Sequence, residues 1–212
     1  MSMSAARKRF QSGQKDVKQL SALHQRLKPG PGPGAPKVGA SALNKASIVF
    51  ICSVWEAYCE DLADEAVTHI TSTLTNPGKL SAGTKHSLAT SGIQPWDLAG
   101  DAWRVKLGEH IKVKVEKLNT PKTENIDNLF STGAGLTGVS RGWKWQNSTP
   151  AKARAKLDEL VSLRGALAHG QEETAVLKSD VTEALALVEH LVAATDPEVN
   201  KQVKTLTATP LF

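Results

Sequence analysis

Cysteine is almost absent from this chain, with only Cys52 and Cys59 among 212 residues. Seven residues apart on a helix, their Cα atoms stand about 10 Å apart, beyond the reach of a disulfide. They share a face and read as two small buried residues. No Cys-x-x-Cys occurs, and the six histidines are dispersed. None pairs with another at helical ligand spacing, so neither a metal nor a cofactor is expected. The glycines at 133, 135, 138 and 142 lack the Gly-Lys-Ser/Thr ending of a phosphate loop. No nucleophile elbow is read, so a Ser-His-Asp hydrolase is not expected. No apolar run is long enough to span a membrane and no secretory leader is recognised; a reducing cytoplasm is the expected compartment. Aromatics are sparse at 5%, and five of them are Trp.

Hydrophobic residues make up 40% of the chain, enough for one core with extensions. The net charge of +5 is unevenly spread. The first 37 residues carry Arg7, Lys8, Arg9, Lys15, Lys18, Arg26, Lys28 and Lys37 against Asp16 alone. A basic segment of this kind either attracts RNA phosphates or serves as a solvated face. Residues 1–28 are predicted to form this basic arm, helical from 5 to 27, with Val17, Leu20, Leu23 and Leu27 on one stripe. The stripe is narrow, and such a helix is marginal unless it docks on the domain or a partner. Residues 29–39 read as a linker, because alternating Pro and Gly support neither helix nor strand.

The domain is expected over 40–195. A long helix from Ala40 to about Leu74 carries Ile48, Ile51, Cys52, Trp55, Cys59, Leu62, Ala66 and Ile70 along one seam. Glu56 lies beside Trp55 at the edge of that seam. Asn76-Pro77-Gly78 stops the helix, and 78–93 read as a loop. A second helix is expected from Gln94 to Leu118, with Trp96 and Trp103 in its apolar set and Arg104, Lys106, Lys112, Lys114 and Lys117 on its other sides. An irregular stretch follows, with a short helix near 125–130. It ends in Arg141-Gly-Trp143-Lys144-Trp145. Aromatics among cations stack bases and hold phosphates, or else the tryptophans close the core. Thr149-Pro150 is a strong helix start. The helix it opens ends in Arg164-Gly-Ala-Leu-Ala-His169-Gly170, where Gly170 suits the left-handed turn past a helix end. A last helix begins near Ser179 and is predicted to stop at Asp196-Pro197, leaving 196–212 as a C-terminal tail.

Arg164 and His169 are five residues apart, so on an unbroken helix they diverge by about 140°. Either they act separately, or the helix breaks near Gly165 or His169, or they meet across a two-fold axis between two copies. Arg164 also wants a carboxylate partner, with Glu56 and Asp158 as candidates.

The segment Arg164-Gly-Ala-Leu-Ala-His169, following an amphipathic helix, resembles the arginine-histidine signature of the HEPN superfamily. Ser53-Val-Trp-Glu-Ala-Tyr-Cys-Glu-Asp-Leu62 resembles the first core helix of the HEPN branch associated with RNA repair and phage defence. The matched region runs from about Ala40 to about Ala194. The resemblance implies an all-α helical bundle that dimerises. It also implies a metal-independent endoribonuclease, a toxin or anti-phage effector held by a neutralising protein partner. Arg164 and His169, with Glu56 beside them, would be catalytic and would leave a 2′,3′-cyclic phosphate on RNA. Arg141, Trp143, Lys144, Trp145, Lys112 and Lys114 would contact the RNA. A different class of function stays open: a non-catalytic HEPN-like module binding RNA or a protein. Gly165 favours it, because many active members place Asn, Asp or His after the arginine. Gln171 stands where some toxin members carry a tyrosine.

Overall fold

Everything in the fold is arranged about α2, Ala40–Thr73, a 34-residue helix. In the computed structural model residues 2–32, 37–169 and 175–212 are described. Parts of the expected linker, Gly170 and Gln171 therefore lie outside the described residues. Gly39 precedes α2 with φ +78°, a left-handed conformation that glycine adopts without strain. Ile48, Ile51, Trp55, Tyr58, Cys59, Leu62, Ala66 and Ile70 are buried along its length. The apolar positions spread around the helix because other helices pack on several of its sides.

Helix α1, Ala5–Ala22, lies along α2. Ser4 caps it by accepting the Arg7 N–H at 2.9 Å. The carboxylate of Glu65 on α2 accepts the N–H groups of Ala5 and Ala6 at 3.1 and 3.0 Å. The docking face is Ala6, Phe10, Gly13 and Val17; of the expected Val17-Leu20-Leu23-Leu27 stripe only Val17 is fully buried. A Cβ at Gly13 would collide with Val54, so glycine there lets the two backbones approach. Leu23 remains 43% exposed. The arm's cations are also partly answered by the domain. Arg9 pairs with Asp61 at 2.6 Å, Lys18 with Glu189 at 3.2 Å, and Arg7 with Asp196 at 3.9 Å.

The expected loop over 78–93 contains a short helix, α3, Ala82–Ala89, capped by Ser81. The expected helix from Gln94 starts later. Pro95–Leu98 is a single 3-10 turn, Gly100 has φ +59°, and α4 spans Ala102–Glu116. The turn leaves Trp96 86% exposed, so it does not join the core as predicted. Helix α5, Thr123–Asn128, runs into a wider π-helical turn over Leu129–Ala134.

Helix α6, Pro150–Ala168, begins as predicted, with Thr149 Oγ1 accepting the Lys152 N–H at 3.3 Å. Helix α7 spans Lys178–Thr207 and passes straight through Pro197. The predicted stop at Asp196-Pro197, and with it the C-terminal tail, is corrected to 11 further helical residues, Pro197–Thr207. Proline removes one backbone N–H, whose bond would go to the carbonyl of residue 193. Both Ala193 and Pro197 face solvent, so water satisfies the freed carbonyl and the helix continues. The described residues hold seven α-helices and no strand, an all-α bundle. None of these helices is long and apolar enough to cross a membrane.

The centre of the core is aromatic. Trp55 meets Tyr58 at 5.8 Å and Trp143 at 5.9 Å, and Tyr58 meets Phe10 at 5.9 Å. Each buried polar edge has a partner, as burial demands. Trp55 Nε1 donates to Pro121 O at 3.1 Å, and Trp143 Nε1 donates to Thr195 Oγ1 at 2.8 Å. The Tyr58 hydroxyl reaches Asp196 Oδ1 at 3.3 Å. Asp196 is 1% exposed and also accepts from the Ser4 N–H, at 3.2 Å, and the Ser4 hydroxyl.

Candidate functional site

Helix α6 is unbroken through Gly165: the His169 N–H still donates to Gly165 O at 3.1 Å. The helix therefore does not break near Gly165 to swing Arg164 and His169 together. On one helix their side chains diverge by about 140°. Arg164 turns inward to a notch between α6, α2 and the loop after α4, while His169 is exposed at the C-cap. A Cβ at Gly165 would meet nothing within 4 Å, so packing does not require glycine at that position.

In the notch the Arg164 Nη1 donates to Asn119 O at 3.3 Å. Its positive charge reaches Glu56 and Cys52 on α2. Burial pushes the Glu56 carboxyl above its ordinary range, and the guanidinium opposes that shift. Among the described residues the ion pairs join other groups, and Arg164 is in none of them. Asp158, the other expected partner, instead accepts the Thr123 N–H at 2.8 Å. Arg164 is thus half-buried, held by a carbonyl, near a carboxylate but not in direct ion pairing with it.

One turn along α2 from Glu56 stands Glu60. It is half-buried, and burial, then Glu56 and then Asp61, push its pKa up to about 7. The fold thus favours the protonated carboxyl. That contribution is complete below the unfolded value of about 4.5 and is lost as pH rises through about 7. Glu60→Gln removes the titration. Its melting temperature relative to wild type rises by a few degrees between pH ~5 and ~8. An unchanged difference between the two pH values, read by circular dichroism, would contradict this environment.

The cysteines offer no thiolate chemistry. Both are buried, and burial raises the Cys52 thiol to about 12 and holds the Cys59 thiol well above its ordinary value. Gly138-Val-Ser140-Arg-Gly142 has the spelling of a nucleophile elbow that sequence reasoning passed over. It is not one here: Ser140 is fully buried in a 3-10 turn and its hydroxyl donates to Asp127 at 2.6 Å. No cluster of three or more metal-ligating side chains occurs among the described residues.

The six expected RNA contacts separate. Trp143 is buried in the aromatic core and offers no face to a base, which corrects its assignment as a contact. Two residues on, Trp145 is half-buried and stacks on His190, with centroids 4.9 Å apart and rings 10° from parallel. Arg141 and Lys144 are exposed and line a cavity of about 540 Å³ with Lys201. Lys112 is exposed on α4 and Lys114 half-buried. Lys114 and Lys117 line a cavity of about 230 Å³. The loop that follows them carries Asn119 to Arg164.

An all-α bundle whose penultimate helix ends in this arginine-histidine segment has the architecture that the HEPN resemblance implies. The chain belongs to the RiboL-PSP-HEPN family, whose model matches residues 12–201. The match takes in most of α1 as well as α2–α6 and most of α7. No curated protein and no solved structure matches the chain.

Proposed function

We propose that this protein is an endoribonuclease that needs no metal ion. Arg164 carries the reading. It is a half-buried guanidinium in a notch, outside the described ion pairs, so its charge is available to a phosphate. His169 lies exposed at the end of the same helix. Histidine titrates near neutrality, as a proton-transfer group must. In the proposed reaction an RNA 2′-hydroxyl gives up its proton and attacks the adjacent phosphorus. The 5′-oxygen leaves with a proton. His169 serves one of these transfers, and Arg164 neutralises the charge that grows on the phosphoryl oxygens. Glu56 positions Arg164 from across the notch. Lys112 and Lys114 draw the strand toward that side of the bundle.

Because the two side chains diverge on an unbroken helix, the active cleft forms between two copies, Arg164 from one and His169 from the other. The protein is then a homodimer, and its role is that of a toxin or anti-phage effector with a neutralising partner. Gly165 supports a second reading, a non-catalytic module that binds RNA or a protein.

Incubation with tRNA and total RNA in EDTA separates the two. Fragments ending in 2′,3′-cyclic phosphate, with a 2′-deoxy substitution at the scissile position blocking cleavage, are the expected result. Intact RNA after prolonged incubation would leave the binding module as the function.

A further inference from the structure

At the far end of α6 from His169, the segment Trp145–Ser148 forms a tight turn. Ser148 N donates to Trp145 O at 3.0 Å, and Trp145 N to Ser148 O at 3.4 Å. Asn147 takes a left-handed φ of +65°, which asparagine tolerates better than most residues. Beside the turn lies a cavity of about 400 Å³. Trp145, Asn147, Ser148, Lys152, Lys156 and His190 line it, and Glu183 is the one carboxylate among its lining residues.

Three features point to a ligand. The first is the Trp145–His190 column, which ends in an exposed imidazole and is open to a further planar ring. The second is charge. Lys152 and Lys156 sit one turn apart at the start of α6, and neither is in an ion pair among the described residues. Lys144, next to Trp145 in the chain, is also exposed. The third is Ser148 Oγ, a buried hydroxyl without a hydrogen-bond partner, in the lining of the cavity. A planar apolar ring next to paired cations and an unpaired hydroxyl is the chemistry of a nucleotide within a single strand.

We propose that this cavity is a nucleotide subsite for single-stranded RNA. A base extends the Trp145–His190 column, and the flanking phosphates rest on Lys152 and Lys156. This rests on the reading above that the protein acts on RNA. Lys152 lies 17 residues before His169, about 25 Å along the helix. The substrate must therefore be a strand that spans that length, and a dinucleotide cannot occupy both places.

The test is fluorescence anisotropy with an end-labelled single-stranded 12-mer, in the His169→Ala background so that the probe stays intact. His190→Ala, which removes the ring the base stacks on, should weaken binding roughly five- to hundredfold, the range for losing one base stack, and Trp145→Ala, which removes the ring behind it, should weaken binding as well. Trp145→Phe should retain most of the affinity. Lys152→Ala and Lys156→Ala should each reduce the slope of log affinity against log salt by about 0.7. Those lysines are exposed, so their variants decide the matter even if Trp145→Ala misfolds. Tight binding by the parent with affinity and slope unchanged in all the variants overturns the subsite alone. No binding by the parent overturns the subsite and the RNA reading together.

Discussion

Mixed in equal amounts, the separately inactive Arg164→Ala and His169→Ala variants recover about a quarter of wild-type ribonuclease activity. The expectation follows from the unbroken run of α6 through Gly165. If each cleft takes arginine from one copy and histidine from the other, a mixed dimer contains one cleft with both residues and one with neither. Half the dimers in an exchanged sample are mixed, and each works at half strength. Alone, each variant loses both of its clefts. Loss of the histidine removes a proton-transfer group worth on the order of 10²–10⁴ in rate. Loss of the arginine removes comparable electrostatic stabilisation, on the order of 10²–10³. The readout is cyclic-phosphate fragment from labelled RNA after subunit exchange, with mixed dimers verified by mass. Mixed dimers that form and stay inactive would place both residues in one copy's cleft. Equal cleavage by each variant and the wild type would remove Arg164 and His169 from the chemistry altogether.

The largest stability effect is expected at Asp196. Asp196→Ala lowers the melting temperature by on the order of 10 °C. The carboxylate is buried and serves Ser4 and Tyr58, with Arg7 at 3.9 Å. Truncating it strands the Ser4 N–H and hydroxyl in the core, each at about 1–3 kcal/mol, and leaves the Tyr58 hydroxyl with only the Val192 carbonyl at 3.4 Å. Asp196→Asn keeps one acceptor and falls less far. Glu198→Ala, two residues on, loses a pair with the exposed Lys201 and a hydrogen bond from Gln202 Nε2 at 2.9 Å, strands no buried group, and shifts the melt by only a few degrees. Thermal unfolding by circular dichroism ranks the three. Equal melts for Asp196→Ala and wild type would mean that Ser4 does not dock on α7. The same contact changes how a deletion of the basic arm must be read. Removing residues 1–28 uncovers the surface under Ala6, Phe10 and Val17, so lost RNA binding would report lost folding as readily as lost charge.

Long, regular elements were legible in the amino-acid order. The seam of α2 and the Thr149-Pro150 start of α6 follow from periodicity and capping alone. Features that depend on which side of an element meets what were not. Helix α1 docks through alanine, glycine and phenylalanine, whereas its leucines attract the eye. Small residues win because the backbones of α1 and α2 come close at Gly13. Pro197 reads as a stop, yet a proline whose missing bond faces water costs the helix little. Trp143 and Trp145 look alike in sequence, but Trp143 closes the 3-10 turn Val139–Gly142 with its ring on Thr195 in the core, while Trp145 opens the tight turn and is only half-buried. Likewise the spacing of Arg164 and Glu56 says nothing of the Asn119 carbonyl between the helices. That loop arrives from a third part of the chain.

One turn of α7, Val192–Asp196, answers buried polar groups from three distant segments: Ser4, Tyr58 and Trp143. Those segments are all synthesised before it. A growing chain therefore carries Arg164 and His169 well before its core can close, and these long-range contacts wait until α7 has been made. A product cut short before residue 192 retains the arginine-histidine segment but leaves Tyr58 and Trp143 unpartnered beneath an uncovered apolar face. Quality control recognises such surfaces, so truncated chains are removed, and possession of the motif alone does not yield a persistent protein.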